Sequence, residues 1–355
     1  MPHLNLAVAG AGLIGRRHIA MIMDSDRCNL SAIVDPSEAA AQQARELGVP
    51  LYPTMEALFA AAKPDGIVLA TPNQLHVVHA KQCIEAGVPA IIEKPVADTL
   101  ESGIELVEIA ERANAKLLVG HHRRYGSVIA KAVETIGSGA LGKIVAVVGT
   151  ALFYKAESEG YFDGAFSWRR EPGGGPIMLN MIHEVSNLRA LVGEIVEVQA
   201  MASSATRGFP VEDTAAITLR FENGALGTFL LSDTAATDRS WEHTSGEDKF
   251  RFAKAHTDDD DCYLVSGTWG TLAIPTMRLQ RYIREEDRSW HKALEKTRLP
   301  LDVTDPLAQQ IDHFCDVIEG KAEPLVTVRD GLQNLRVVDA ILKAITTGGV
   351  IPVAR

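Results

Sequence analysis

The chain has 355 residues, 46% of them hydrophobic, with 35 Lys and Arg against 46 Asp and Glu for a net charge of −11. That length suits two domains, and the acidic balance argues against nucleic acid or an anionic membrane as the main partner. The amino terminus lacks a basic n-region, no apolar run approaches the ~18 residues of a membrane span, and the four scattered cysteines lack C-x-x-C spacing. A cytoplasmic protein with reduced thiols is expected.

Leu4 to Ala9 is a short apolar run, and Gly10, Gly12 and Gly15 follow it at G-x-G-x-x-G spacing. A helix-like segment with Ile19, Ile22 and Met23 comes next, then Ile33-Val34 ending on Asp35, twenty residues after Gly15. Such a strand, glycine turn, helix and distant acid form the context that the dinucleotide-binding fingerprint requires. Gly10 permits the tight turn, Gly12 lets the backbone approach a pyrophosphate, and Gly15 lets the helix lie on the sheet. The N–H groups at the helix start, around Leu13 and Ile14, hold the anion. Asp35 accepts hydrogen bonds from ribose hydroxyls and repels a 2′-phosphate, which favours NAD over NADP. The other reading of the same residues is a glycine-rich turn with Asp35 capping a helix that begins near Ser37.

The alternation continues. Helices are predicted over Ser37 to Leu47, stopped by Gly48, and from a Thr54 cap to Ala62. A strand over Gly66 to Ala70 precedes a helix over Leu75 to Ala86, stopped by Gly87. Ala90 to Ile92 is a buried strand. Asp98 and Glu101 have capping-box spacing for a helix whose inward stripe is Leu100, Ile104 and Val107, and Ala115 to Val119 closes the series. Alternating strands and helices make a parallel sheet with helices on both faces, which binds ligands at the carboxyl ends of its strands. Past Arg124 the rhythm changes to strands at Ile144 to Ala151, Val196 to Ala205 and Asp213 to Phe221, the last with Ile217, Leu219 and Phe221 on one face. Asn223-Gly224 turns the chain into Ala225 to Ser232. Strands over Tyr263 to Ile274 and Met277 to Ile283 follow, then helices over Leu307 to Ile318 and Gly331 to Thr346. The fold class is therefore α/β: a doubly wound parallel sheet over 1–123, then an α+β domain with a largely antiparallel open sheet over 124–355.

Two stretches carry chemistry. Glu93-Lys94-Pro95 follows a buried strand at the cofactor edge. A lysine there hydrogen-bonds a substrate hydroxyl and stabilises negative charge developing on oxygen; equally, it is a strand-end lysine paired with Glu93. Gly173-Gly174-Gly175-Pro176 leads into a helix that places Asn180 and His183 on one face. A histidine there takes a proton from an alcohol, or fills an interdomain contact.

Together AGAGLIGRRH, ATPNQLH, EKP, GHHRRY and WRREPGGGPIMLNMIHEVSNLRALVG resemble the Gfo/Idh/MocA oxidoreductase family, the glucose-fructose oxidoreductase and inositol dehydrogenase group, over essentially the whole chain. The resemblance implies a Rossmann domain, a substrate domain on an open sheet, and pairing of such sheets into homodimers or homotetramers. It implies that Lys94 and His183 are the catalytic pair and that Thr71, Pro72, Asn73, His76, Glu93 and Lys94 lie along the cofactor. It also implies an often cis lysine–proline bond. Where many members carry an acid four positions before the histidine, this chain has Leu179, so proton handling falls to Lys94 and His183.

Arg123, Arg124, Tyr161, Trp168, Arg169, Asn180 and His183 are candidate substrate contacts, since guanidinium and aromatic groups suit a sugar ring. Trp241 and Glu242 form a further patch. No metal is expected: His76 and His79 lack a matching acid or cysteine, His121-His122 serves packing or substrate positioning, and His256 with Asp258 to Asp261 reads as a solvated loop. The expected activity is NAD-dependent oxidation of a secondary hydroxyl of a sugar, sugar derivative or cyclic polyol. The alternatives are an NAD-dependent glycosidase with transient oxidation and a non-enzymatic NAD-binding regulator.

Overall fold

In the computed structural model, which describes residues 3–247, 257 and 259–355, two sheets form among the described residues. Alternation in the first third produces β1 (Leu4–Ala9), α1 (Leu13–Met23), β2 (Cys28–Val34), α2 (Glu38–Leu47), β3 (Leu51–Tyr52) and α3 (Met55–Ala61). After these come β4 (Gly66–Leu69), α4 (His76–Ala86), β5 (Ala90–Ile92), α5 (Leu100–Arg112) and β6 (Leu117–Val119). The strands are parallel throughout, in the order β3-β2-β1-β4-β5-β6. Strand order reverses between β1 and β4, and in such sheets the crevice at that point takes the ligand. Every residue of β4, β5 and β6 is buried, as strands covered on both faces must be.

Local chemistry sets the helix ends. The Ser37 and Thr54 hydroxyls accept from Ala40 N at 3.3 Å and Ala57 N at 3.2 Å, and Gly48 and Gly87 close α2 and α4 at φ 67° and 63°. The cap of α5 differs from the expected Asp98–Glu101 pair. Thr99 is the cap: its hydroxyl accepts from Ser102 N at 3.1 Å while Ser102 Oγ accepts from Thr99 N at 3.3 Å. Helix α5 buries Gly103, Leu106, Val107 and Ala110. Ile104, expected inward, is 40% exposed.

The second sheet begins after α6 (Ser127–Gly137), a helix the sequence reading left unassigned. Its elements are β7 (Ile144–Leu152), α7 (Ile182–Val192), β8 (Ile195–Ser203), β9 (Thr214–Phe221), β10 (Leu226–Ser232) and a short turn, α8 (Trp241–Thr244). Then come β11 (Tyr263–Gly267), β12 (Gly270–Ile274), β13 (Arg278–Arg281), β14 (Glu295–Arg298), α9 (Pro306–Ile318), α10 (Val328–Thr347) and β15 (Ile351–Pro352). The order is β14-β13-β12-β11-β7-β10-β9-β8-β15, antiparallel except for the β7–β10 pair. Tyr263 to Ile274, expected as one strand, is a hairpin. The Thr268 and Trp269 N–H groups donate to Lys143 O and Leu141 O at 2.9 and 2.8 Å, which diverts the chain between β11 and β12. One face of the sheet buries Val147, Ile217, Leu219 and Phe229 against Ile182 and Val185. On the strands of that sheet Val145, Val148, Leu230 and Leu264 stay 40 to 49% exposed. His256 and Asp258 of the acidic run lie outside the described residues.

Compactness divides the chain into two units, and not by a single cut after residue 123: Pro306–Leu335 belongs with Met1–Tyr125, and Gly126–Asp305 with Arg336–Arg355. Packing explains the return. A Cβ on Gly66 would stand 2.8 Å from the Phe314 ring and 2.7 Å from Ile318 Cδ1, so α9 lies directly on the start of β4. Arg27 donates to Asp316 Oδ1 and Glu319 Oε2 at 2.7 Å each. No helix among the described residues is long and apolar enough to cross a membrane.

Candidate functional site

At the cofactor edge of the first unit the three glycines have separate reasons to be glycine. Gly10 sits at φ +88°, and a Cβ there would meet Ala70 O at 2.5 Å. A Cβ on Gly15 would lie 1.8 Å from Gly10 O, so this glycine lets α1 seat on the turn. Around Gly12 a Cβ would meet nothing within 4 Å; no atom of the chain itself demands glycine at 12. Gly12 is also the N-cap of α1, with no side-chain capping bond and no acidic residue in the first turn. The first N–H groups of α1, beside the exposed Leu13, suit a phosphate anion.

Asp35 ends β2. Its Oδ2 accepts from Ala11 N at 2.8 Å and its Oδ1 from Ser37 N at 2.8 Å. Partial burial raises its pKa, and these bonds together with the Ser37 hydroxyl outweigh burial and lower it, so the carboxylate is ionised. The cap of α2 is Ser37 and not Asp35, as the capping alternative had it. The carboxylate instead braces the glycine turn, and its oxygens retain acceptor positions for hydroxyl groups.

Thr71, Pro72 and Asn73 follow β4 at the crevice, half-exposed or exposed. His76, expected along the cofactor, is 1% exposed. Its Nδ1 faces Pro95 O at 2.7 Å and its Nε2 faces Thr71 O at 2.9 Å. The ring thus ties the loop after β4 to the loop after β5, and burial holds its pKa below the usual histidine value.

Glu93 is buried. His18 Nε2 donates to its Oε1 at 2.7 Å, and the Lys94 backbone N–H donates to its Oε2 at 3.2 Å. Burial opposes its ionisation, but the His18 hydrogen bond and, more weakly, the Lys94 charge bring its pKa down to about 2. Lys94 is half-buried, and the Lys94–Pro95 bond is cis. Beside it burial holds His121 at about 3 and His122 at about 4, with the Lys94 charge adding to both. His121 Nε2 accepts from the Asn334 amide at 3.0 Å, so both imidazoles are neutral neighbours of the lysine. Arg123 is 4% exposed, in the turn His122–Tyr125 on which α9 packs; Arg124 is half-buried. Sequence reasoning missed His18 as the partner of Glu93. Its signal was the histidine one turn after Gly15, within the glycine stretch.

In the second unit, the glycine run enters a π-helical turn, Ile177–Met181, before α7 begins. Asn180 therefore lies on the π turn and His183 in the first turn of α7, and the regular helical face expected for the pair is interrupted. Glu212 Oε1 accepts from Ile177 N at 3.0 Å and secures the entry. His183 is 8% exposed. The adjacent acid, Glu184, is buried and accepts from the Tyr263 hydroxyl, whose oxygen also accepts from the Asn187 amide at 3.0 Å. That acid serves the core.

Lys155, which the sequence reading passed over, reaches the same turn: its Nζ donates to Asn180 Oδ1 and to the Tyr161 hydroxyl, each at 2.9 Å. The Arg169 guanidinium lies 4.0 Å from the Tyr161 ring centre and 4.3 Å from that of Phe166. Trp168 is 48% exposed and not core. Trp241 is 4% exposed and packs on Tyr263, ring centres 5.9 Å apart, so this member of the expected patch is interior, while Glu242 is half-buried. Tyr161, Arg169, Asn180 and Lys155 come together; Arg123 and Trp241 do not face solvent.

Family models match both parts of the chain: the NAD-binding Rossmann fold of the Gfo/Idh/MocA oxidoreductases over residues 4–121 and their C-terminal alpha/beta domain over 133–354. Among curated relatives, a 1,5-anhydro-D-fructose reductase from Ensifer adhaerens is 28% identical over 95% of this chain and 96% of its own. An NADP-dependent D-xylose 1-dehydrogenase from Haloferax volcanii is 24% identical over 97% of this chain and 98% of its own. An oxidoreductase from Agrobacterium radiobacter, solved with NAD+, L-tartaric acid and magnesium, shares the fold at TM-score 0.81 and 19% identity, with 99% of each chain covered.

Proposed function

The chain belongs to the Gfo/Idh/MocA oxidoreductase family, and from that premise we propose that it is an NAD-dependent dehydrogenase of a sugar, sugar derivative or cyclic polyol. The observation that carries the cofactor part is the edge at β1 and β2. An open Gly12 and an uncapped α1 suit the pyrophosphate, and ionised Asp35 suits a ribose with free hydroxyls. A 2′-phosphate would meet that negative charge, which favours NAD although one relative uses NADP. Sugar substrates are supported by the names of the two relatives.

Bound NAD supplies the hydride acceptor. Lys94, on a loop tied by His76 and backed by buried Glu93, donates a hydrogen bond to the substrate oxygen and stabilises its negative charge. His183, held on α7, accepts the hydroxyl proton. Asn180, Tyr161 and Arg169 contact the substrate. The apolar residues left exposed on the second sheet, Val148, Leu230 and Leu264 among them, favour association of two copies through that face. Sedimentation at micromolar concentration should return a dimer or tetramer, and a monomer would refute that assignment.

The test of the activity is NADH formation with a panel of inositols, aldoses, anhydrosugars and sugar acids, with NAD and NADP in parallel and Lys94→Ala as control. Turnover with NAD that falls by about 10³-fold or more in the variant is expected, the size of a lost transition-state donor. No NADH with any substrate would overturn the reading, and turnover with NADP alone would overturn the role of Asp35.

A further inference from the structure

On the second unit the charges beside the π turn are unbalanced. Lys155 is half-buried, and its partners are all neutral: the Asn180 amide oxygen, the Tyr161 hydroxyl, and the Phe153 and Tyr161 rings at 4.8 and 4.4 Å. An ammonium has three N–H donors, and two are accounted for. Arg169 donates from Nη1 to Tyr161 O at 3.0 Å and otherwise stacks on rings; its Nε is buried with no acceptor. Among the described residues neither cation forms an ion pair with a carboxylate. Tyr161 has a cation against its ring from each of them.

The nearby acids are committed elsewhere. Asp233 takes the Arg207 Nε at 3.0 Å, Glu157 stands 3.6 Å from Arg207, Asp163 pairs with Arg170, and Glu212 holds Ile177 N. The Asp233 charge still acts on Lys155 at longer range. Burial lowers the Arg169 pKa from its ordinary value, with only Tyr161 opposing, which is the mark of a charge removed from water without a counter-charge. Nor is Lys155 free to swing away as a unit. Its N–H donates to Asp233 O at 2.9 Å, and Arg207 Nη2 donates to its carbonyl at 2.7 Å.

Partly buried, unmatched cations are costly in the protein alone, and an anion arriving with its own hydrogen-bond acceptors offsets that cost. A neutral hydroxyl cannot. We propose that Lys155 and Arg169, set around the Tyr161 ring and tied through Asn180 to the π turn that precedes His183, bind the carboxylate of an acidic substrate, so that the enzyme acts on a polyhydroxy acid in preference to the neutral sugar of the same skeleton. This deepens the dehydrogenase reading and rests on it.

The experiment compares kcat/KM at saturating NAD for matched pairs, hexuronates against aldoses and aldonates against alditols, with hexose phosphates as a third arm, in the wild type and Lys155→Gln. Gln keeps the hydrogen-bonding capacity and removes the charge. Expected are a preference for the acid of about 100-fold, and in the variant a loss on the acid about 10-fold larger than the loss on the neutral partner, the size of a charged hydrogen bond. In the wild type alone, rising salt should raise KM for the acid and leave the neutral sugar unmoved, and calorimetry in the absence of NAD should register gluconate binding. Preference for neutral sugars, or an equal loss on both members of a pair, overturns the carboxylate site while leaving the dehydrogenase standing. Preference for the phosphate arm assigns the cations to phosphate and overturns the carboxylate. Absence of NADH from every arm overturns both.

Discussion

The cofactor edge of the first unit and the face around Tyr161 in the second handle charge in opposite ways. On the first, every carboxylate described has a donor built into the fold: Ala11 and Ser37 for Asp35, His18 for Glu93. On the second, Lys155 and Arg169 rest against rings and an amide. The first arrangement is finished before any ligand arrives and suits a ligand that never varies. The second leaves its balance to the ligand, as expected where relatives act on different sugars.

Three measurements sharpen or break that contrast. The largest effect falls on the buried pair. Glu93→Gln removes the charge that His18 donates to, and breaking a buried pair costs about 3 kcal/mol, read as a lowered urea midpoint at pH 7. The pH dependence has a definite sign. Folding depresses the Glu93 pKa from 4.5 to about 2, so its contribution is complete above pH 4.5 and is lost as pH falls towards 2. The gap between wild type and variant should close over that window; a gap independent of pH would remove the charge from the explanation.

Asp35→Ser comes next. Removing the carboxylate should shift the ratio of kcat/KM for NAD and NADP by about 10- to 100-fold towards NADP, the worth of a charge-assisted bond lost plus a repulsion relieved. An unchanged ratio would mean that Asp35 only braces Ala11. Gly12→Ala is the smallest change and the most discriminating. Its Cβ meets no protein atom, so the melting temperature should stay within about 2 °C, while NAD affinity falls about tenfold. A loss of stability instead would place the constraint inside the chain.

The same contrast explains what could be read from sequence. The parallel sheet was legible because strands buried on both faces are continuous apolar runs, and the glycine turn because three backbone requirements fall at fixed spacing. The cap of α5 was misread by one residue, since Asp98, Thr99, Glu101 and Ser102 all suit a helix start and only geometry chooses. Arg123 looked available because nothing near it in sequence announces α9. Lys155 carried no local signal at all: its meaning depends on Tyr161, Arg169 and Asn180, six to twenty-five residues away. Side chains assembled from distant positions have no period.

The first unit closes only with Pro306–Leu335, after the whole of Gly126–Asp305. During synthesis the strands β1 to β6 emerge before Gly126–Asp305, yet the patch at Gly66 that receives Phe314 and Ile318 waits for a segment made after it. The cofactor-binding unit is thus begun before Gly126–Asp305 and completed after it, with its contacts distant in sequence and slow to form. A fragment ending at Tyr125 would carry the whole nucleotide motif with an open apolar flank, and a chain stopped at Asp305 would be damaged at its beginning.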